Sequence, residues 1–373
     1  MNYCKICILP NTRPQLKIDE HGNCNCKYSF LKKSIKNINW KERYKKFSEI
    51  VNTIKKKNKA FYDCLIPVSG GKDSTWQVIE CLKIGLNPLC VTWKTPVRSK
   101  IGEYNLKNLI NLGVDHIDFT INPKIEKYLI LKSFKKMGNI ALSMHMAIHG
   151  ISLNVATNFK IPLIVYGENS ANEYGGTDSL AKSSKLTYEW LQKYGVTNNT
   201  TIDDWTDDYL TKKKSFAYTW PKKSDFKLKN INAIFLGQYI KWDPNKTFKI
   251  AEKHGFKSAK NASTGLYNFA DIDDQFIITI HHWMKWYKFG FTRLWDNLSI
   301  EIKQGKISRK QAIKIVKSSE KTPSKEINLF CKFLSISTKE FFLIAEKFRN
   351  KKIWYKDKNK WKIKDFLIKD YKW

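Results

Sequence analysis

Long apolar runs are missing from this 373-residue chain. No stretch of about 18 apolar residues occurs, which excludes a membrane-spanning helix. The first residues, Met1-Asn2-Tyr3-Cys4-Lys5, lack the character of a secretory leader. A soluble, cytoplasmic protein is therefore expected, its eight cysteines reduced or on metal rather than in disulfides. Arginine is scarce and occurs only at positions 13, 43, 98, 293, 309 and 349. Acidic residues are few as well, 34 against 67 Lys and Arg, which leaves a formal net charge of +33. A dedicated nucleic-acid surface gathers its basic residues on one face. Here lysines run the length of the chain, in clusters such as Lys55-Lys56-Lys57 and Lys212-Lys213-Lys214. With Asn and Ile abundant, that pattern reads as a drifted, solvated basic surface, and nucleic acid is not the expected partner. There is no internal repeat.

What stands out is Leu65-Ile-Pro-Val-Ser69-Gly70-Gly71-Lys72-Asp73-Ser74-Thr75. The apolar run Cys64–Val68 predicts a buried strand, and a helix pattern follows from Asp73 or Ser74 to residue 84. Strand, glycine turn and helix together bring backbone N–H groups onto a phosphate. Glycines remove the Cβ that would block approach, and the helix N-terminus favours negative charge. Lys72 adds a cation, while Ser69 and Ser74 add hydroxyl donors. The spacing is not that of the Walker loop.

Further strands are predicted at Pro88–Trp93, His116–Ile121 and Pro162–Gly167, alternating with helices at 105–112 and 124–159. That alternation predicts an α/β fold with a doubly wound parallel sheet, whose ligands bind at the carboxyl ends of the strands. Ser69–Ser74 and Gly167-Glu168-Asn169 fall at such ends. Four cysteines crowd the start of the chain as Cys4-x-x-Cys7 and Cys24-x-Cys26. Two close pairs can offer four thiolates to one tetrahedral zinc in a closed, structural site; an iron–sulfur cluster or free thiols are the alternatives. Cys64, Cys81, Cys90 and Cys331 sit in apolar patterns and read as core. The organisation expected is a metal module over 1–30, a basic helical connector over 31–60, the α/β domain over 61–200, a substrate-covering insertion over 201–262 with an apolar strand Ala233–Tyr239, and a helical region over 263–373.

The loop Ser69-Gly70-Gly71-Lys72-Asp73-Ser74 resembles the pyrophosphate loop of the ATP pyrophosphatases, which cleave ATP between its α- and β-phosphates. The fold implied is their adenine-nucleotide α-hydrolase sheet. Across residues 3–318 the chain resembles one family more closely, the N-acetyl sugar amidotransferases of the WbpG and PseA groups. The resemblance rests on Cys4-x-x-Cys7-Ile-Leu-Pro10-x-Thr12-Arg13-Pro14, Asp19-Glu20-x-Gly22-x-Cys24-x-Cys26, Gly167-Glu168-Asn169 with Glu173-Tyr174-Gly175-Gly176, Trp242-Asp243, Gly265-x-Tyr267-Asn268 with Asp271-Ile-Asp273, Lys288-Phe-Gly290-Phe-x-Arg293, and Ser299–Arg309. Where many relatives have C-x-x-C, this chain has Cys24-x-Cys26.

The resemblance implies a reaction: an acetamido group of a nucleotide-linked sugar becomes an acetamidino group, for surface polysaccharide or nonulosonic acid. ATP with Mg²⁺ activates the amide oxygen and ammonia displaces AMP. On this basis Ser69, Gly70, Gly71, Lys72, Asp73 and Ser74 are expected to bind ATP. Lys72, Asp73, Glu168 and Asp271 are assigned to catalysis, and Glu173, Asp273, His281, Lys285 and Arg293 to substrate. Helix capping competes as the role of Asp73, and ordinary surface or capping duty competes for the carboxylates and cations. The chain shows no glutaminase: residue 2 is not Cys, and no Cys lies in a G-x-C-x-G elbow. Ammonia is then free or delivered, and the family implies a glutaminase subunit and a cyclase-like barrel subunit as partners. A tRNA-thiolating ATP pyrophosphatase is the alternative enzyme. A non-catalytic zinc-bearing RNA-binding protein is the alternative of another class.

Overall fold

Strong apolar periodicity starts the described fold. The computed structural model describes residues 1–25, 38–173, 178–221, 224, 232–319 and 322–373. Helix α1 (Trp40–Lys57) is capped by Asn39, whose side chain accepts the Glu42 N–H, and it buries Phe47, Val51 and Ile54. That spacing is one helical face. The part of the expected connector before residue 38 lies outside the described residues.

The α/β core then runs β1 (Cys64–Pro67), α2 (Lys72–Lys83), β2 (Pro88–Trp93), α3 (Lys100–Ile110), β3 (Asp115–Phe119), α4 (Pro123–Met137), α5 (Leu142–Asn158) and β4 (Leu163–Tyr166). Next come the short α6 (Ser170–Glu173), α7 (Tyr188–Tyr194), β5 (Asn232–Phe235) and α8 (Pro244–Lys253). The five strands form one sheet in the order β3-β2-β1-β4-β5, parallel throughout. Alternate side chains feed two cores, as a strand period of two requires. Cys64, Ile66 and Cys90 pack with Phe47, Trp76 and Leu109 from α1, α2 and α3. Leu65, Leu89 and Val91 pack with Leu129 of α4 and with Met146 and Ile151 of α5. A sheet covered on both faces needs apolar residues at every strand position. That is why β1, β2 and β4 read as unbroken apolar runs.

The stretch expected to be an insertion departs from expectation. Its strand pairs in parallel with β4, Leu163 to Asn232 through Tyr166 to Phe235, so the sheet continues into it. The strand stops at Phe235 because the chain tightens into a 3-10 turn over Leu236–Gln238. Within residues 202–218, Trp205, Leu210 and Tyr218 join the core built on α5.

The C-terminal region is helical over α9 (Ile277–Phe289), α10 (Arg293–Lys303), α11 (Arg309–Ser319), α12 (Ser324–Leu334) and α13 (Thr338–Glu346). It ends in a hairpin, β6 (Trp354–Asp357) and β7 (Lys360–Ile363), which the sequence reading did not foresee. Lys358 and Asn359 make the turn, both at positive φ, 43° and 66°. Two left-handed residues match the twist of paired strands. Phe276, Phe330 and Phe341 share a core with Phe134 of α4, which fixes the helices to the sheet.

The described residues of the N-terminal module share their core with the C-terminal region. Cys4, Ile8, Leu9 and Leu16 are buried with Trp295, Leu298, Ala312, Val316 and Ile368. Arg309 adds two hydrogen bonds, from Nε to the carbonyls of Cys4 (3.2 Å) and Cys7 (2.8 Å). Among the described residues no helix is long and apolar enough to cross a membrane.

Candidate active site

Strand order reverses between β1 and β4, and the carboxyl ends of these two strands carry the site. The Val68 N–H still reaches the Val91 carbonyl (2.9 Å), and then the chain leaves the sheet. Gly70 takes φ +83°, and a Cβ there would meet the Leu106 backbone nitrogen at 2.6 Å. A side chain is excluded twice over, by the left-handed backbone and by α3. Gly71 is the extended residue before α2, so the helix begins at Lys72, one or two residues before the expected start at Asp73 or Ser74. The hydroxyls of Ser74 and Thr75 both donate to the Gly71 carbonyl at 3.0 Å, holding the loop to the first turn. Ser69 Oγ accepts the Gly71 N–H at 3.3 Å.

A cavity of about 390 Å³ opens over this loop, lined by Ser69, Gly71, Lys72, Asp73 and Ser74 from below. Gly70 does not line it; its place is the turn packed on α3. Lys72 is only 5% exposed. Its ammonium lies 2.6 Å from Asp73 Oδ2 and 3.4 Å from Thr247 Oγ1, and faces the rings of Trp242 (5.6 Å) and Phe269 (5.5 Å). Asp73 does not cap the helix. Its Oδ1 accepts hydrogen bonds from Trp242 Nε1 (2.9 Å) and Thr247 Oγ1 (3.0 Å). Thr247 is placed by α8, whose cap is Asp243, an acceptor for the N–H groups of Asn245 and Lys246. Trp242-Asp243 thus has a physical role: one residue grips Asp73 and the next starts the helix that grips it too.

Four more assigned residues reach this cavity from elsewhere: Glu168, Asp271, Asp273 and Arg293. Glu168 follows β4, and burial together with the nearby Asp73 charge pushes its pKa up to about 7. Asp271 and Asp273 descend from the segment before α9. Asp271 adopts φ 54°, accepts a hydrogen bond from Thr264 Oγ1, and lies 3.8 Å from His282 Nε2 and 4.0 Å from Arg293 Nε. Asp273 is driven up to about 7 by burial and by its neighbour Asp274. Asp274 itself is a capping residue, accepting the N–H groups of Phe276 (3.0 Å) and Ile278 (3.2 Å) and the Thr95 hydroxyl.

A second cavity, about 660 Å³, meets the first along Tyr166, Gly167, Glu168, Ile278 and Arg293. His281 and Lys285, assigned to substrate, line this one. Lys285 and Arg13 share the buried Asp296, each at 2.9 Å, and the two cations hold its carboxyl well below the usual carboxylate range despite burial. Glu173 lines neither of these cavities; its carbonyl lies 3.5 Å from the Lys303 ammonium. Sequence reasoning gave no role to Trp242, Thr247, Arg13, Lys288, His145 or His149. The last two stand four residues apart on α5, a spacing that puts both on one helical face.

The metal module brings Cys4, Cys7 and Cys24 together, with sulfurs within 4.8 Å of one another. Cys4 Sγ accepts the N–H groups of Cys7 (3.4 Å) and Cys24 (3.3 Å), and Cys7 Sγ that of Leu9 (3.5 Å). Three converging sulfurs that gather N–H donors fit a thiolate-bound cation such as zinc. Cys26, expected as a fourth ligand, lies outside the described residues, as do Tyr174, Gly175 and Gly176.

A parallel 3-2-1-4-5 sheet with Ser69–Ser74 at its reversal point defines the class: a doubly wound α/β protein with a glycine loop at its switch point. In the C-terminal region, residues 264–367 match the family model described as "LPS biosynthesis protein WbpG-like, C-terminal domain". It is the part that supplies Asp271, Asp273, His281, Lys285 and Arg293. No curated protein matches the chain. Solved structures similar to it include a predicted subunit of tRNA methyltransferase from Methanocaldococcus jannaschii (18% identity, 52% of this chain and 76% of that one, TM-score 0.28). An NH3-dependent NAD synthetase from Campylobacter jejuni is 12% identical over 50% of this chain and 99% of its own, with TM-score 0.31. An NMN synthetase from Francisella tularensis is 14% identical over 60% and 99%, with TM-score 0.28.

Proposed function

We propose that the protein is an ATP-dependent amidotransferase that converts an acetamido group of a nucleotide-linked sugar into an acetamidino group. The observation that carries the reading is the meeting of two parts in one cavity. The sheet supplies an anion-cradling glycine loop, and the WbpG-like domain supplies carboxylates and an arginine opposite it.

A neutral amide is a poor electrophile with a poor leaving group. The amide oxygen attacks the α-phosphorus of ATP, the bond to the β-phosphate breaks, and pyrophosphate leaves on the glycine loop. Ammonia adds to the activated carbon and AMP departs, leaving an amidinium. Lys72 and the N–H groups at the start of α2 hold the phosphate charge that develops. Asp73, Asp271 and Asp273 are the carboxylates that would hold Mg²⁺, which would offset that charge. Glu168, titrating near neutrality between the two cavities, takes the proton that ammonium or the adduct must lose. Arg293, shared by both cavities, faces the oxygen that becomes a phosphate ester. Ammonia would come from a glutaminase subunit working with a cyclase-like barrel subunit, or from solution. The product would enter lipopolysaccharide or another surface glycan, made in the cytoplasm. The Cys4–Cys7–Cys24 zinc would be structural.

The test is mass spectrometry of UDP- and CMP-linked diacetamido sugars after incubation with protein, ATP, Mg²⁺ and ammonium salt. A loss of about one mass unit, with AMP and pyrophosphate formed and with both abolished in Lys72→Ala, is expected. ATP turnover that needs tRNA instead would favour the tRNA-modifying alternative. Against that alternative, among the described residues no cysteine lines either cavity, where a persulfide thiol would have to stand.

A further inference from the structure

The second cavity has a use that the ATP chemistry leaves unexplained. Its volume, about 660 Å³, falls within the range of small-molecule sites. One wall is aromatic, built by Trp190, Tyr194 and Phe235, with Trp190 and Phe235 in ring contact at 4.9 Å. Beside this wall stand groups that are polar without being charged. His145, His149, His281 and His282 all line the cavity, and burial keeps every one of these imidazoles well below its ordinary pKa. Neutral imidazole offers one donor and one acceptor, the pairing that sugar hydroxyls and amides require.

Several of these groups have no partner. His149 Nδ1, His282 Nδ1 and Trp190 Nε1 are buried with no hydrogen bond, and Trp190 is only 4% exposed. A buried polar atom left unpaired is costly, and such atoms are rare unless a ligand completes them. The charges also divide. Arg13 and Lys285 both pair with Asp296, a cluster that keeps one net positive charge, and Lys193 pairs with Asp178 at 2.6 Å. Lys288 differs: burial alone lowers its pKa, to about 8, and no carboxylate offsets it. Its ammonium lies over the Phe348 ring at 5.8 Å and lines the cavity beside Gly138. A half-buried ammonium with no counter-ion suits an anion brought by a ligand.

We infer that the second cavity is the acceptor chamber, taking a phosphate-bearing sugar with its ring on the Trp190–Tyr194–Phe235 wall and among the histidines, and its phosphate on Lys288. The inference rests on the amidotransferase reading. It adds that the two substrates occupy separate chambers and meet only at Gly167–Glu168 and Arg293, where the amide comes within reach of the ATP α-phosphorus.

Isothermal titration tests it, with UDP-N-acetylglucosamine as probe. The protein is first saturated with an ATP analogue carrying a methylene between its α- and β-phosphates. The probe should still bind, and Lys288→Met should weaken it about 10–100-fold, in line with loss of a hydrogen bond to a charged group. The affinity of Lys288→Met for the analogue should stay within twofold of the parent. Trp190→Phe should weaken the probe several-fold while leaving the melting temperature unchanged or higher, since it deletes an unpaired donor. Displacement of the probe by the analogue would overturn the inference, as would equal probe affinity in all three proteins. The amidination assay separates the two claims. Amidination with acceptor KM unmoved by Lys288→Met keeps the reaction and sinks the chamber. Lys288-dependent probe binding with no amidination keeps the chamber and sinks the reaction.

Discussion

The clasp on Lys72 allows a quantitative test. Lys72 Nζ is held by Asp73 Oδ2 at 2.6 Å, with side-chain exposures of 6% for the lysine and 30% for the aspartate. Asp73→Asn keeps the shape, and an amide oxygen can still accept from Trp242 and Thr247. It removes the charge and leaves a buried ammonium facing two rings and one hydroxyl. Removing one partner of a fully buried pair costs about 3–5 kcal/mol. Solvent at the exposed aspartate weakens the pair, so about 2–3 kcal/mol is expected here. Lys72→Met leaves a part-wet carboxylate that keeps both neutral donors, and should cost about 1 kcal/mol. The double variant buries no unpaired charge and should resemble Lys72→Met. The cycle then yields a coupling of about 2 kcal/mol. Urea unfolding, followed by both tryptophan fluorescence and circular dichroism, measures it at two salt concentrations. A coupling below about 0.5 kcal/mol, or one that vanishes in 1 M salt, would refute the clasp, because a buried pair is screened far less than a surface one.

Three further outcomes are expected. Glu168 keeps its proton up to about pH 7 in the folded chain but only to about 4.3 when unfolded. The folded state therefore binds more protons between these values, and stability falls as pH rises through that window. Glu168→Gln should thus gain about 1–3 kcal/mol at pH 8, nothing at pH 4, and lose amidination, as read by melts at the two pH values and by product mass. Gly70→Ala must hold a left-handed alanine against the Leu106 backbone. It should lose at least about 1–2 kcal/mol of stability and weaken ATP-analogue binding by about tenfold; unchanged titration curves would remove the loop from the nucleotide site. Elemental analysis should find one zinc per chain, lost in Cys24→Ser together with a lower melting temperature, whereas metal-free wild-type protein would leave the three thiols as core.

Sheet and loop were legible because their signals are local. β2 has the bounds read from its apolar run, Pro88–Trp93, and the turn glycines frame α2. β5 was placed in an insertion because its four residues say nothing of their partner, β4, which ends 66 positions earlier at Tyr166. The site followed the same division. Ser69–Ser74 is contiguous and could be read directly. The grip of Trp242 and Thr247 on Asp73 spans 169 and 174 residues and leaves no periodic trace. Asp271 and Asp273 were reached by resemblance, since two carboxylates in a loop carry no sign of burial. The thiol-rich segment shows a physical limit: Cys4, Cys7 and Cys24 cannot enclose a core by themselves, so they borrow one from the C-terminal region.

That borrowing sets an order of events during synthesis. Cys4, Cys7 and Cys24 leave the ribosome first, yet the residues that bury them, from Phe291 to Ile368, come last. At about 5–20 residues per second, the thiols wait roughly 15–60 s in the open. Throughout that interval they lack their final cover, with Arg309 not yet made to clasp the Cys4–Cys7 turn. Burial of the thiol cluster is therefore complete only once almost the entire chain has been made, and its geometry belongs to the finished fold rather than to the segment that carries the thiols.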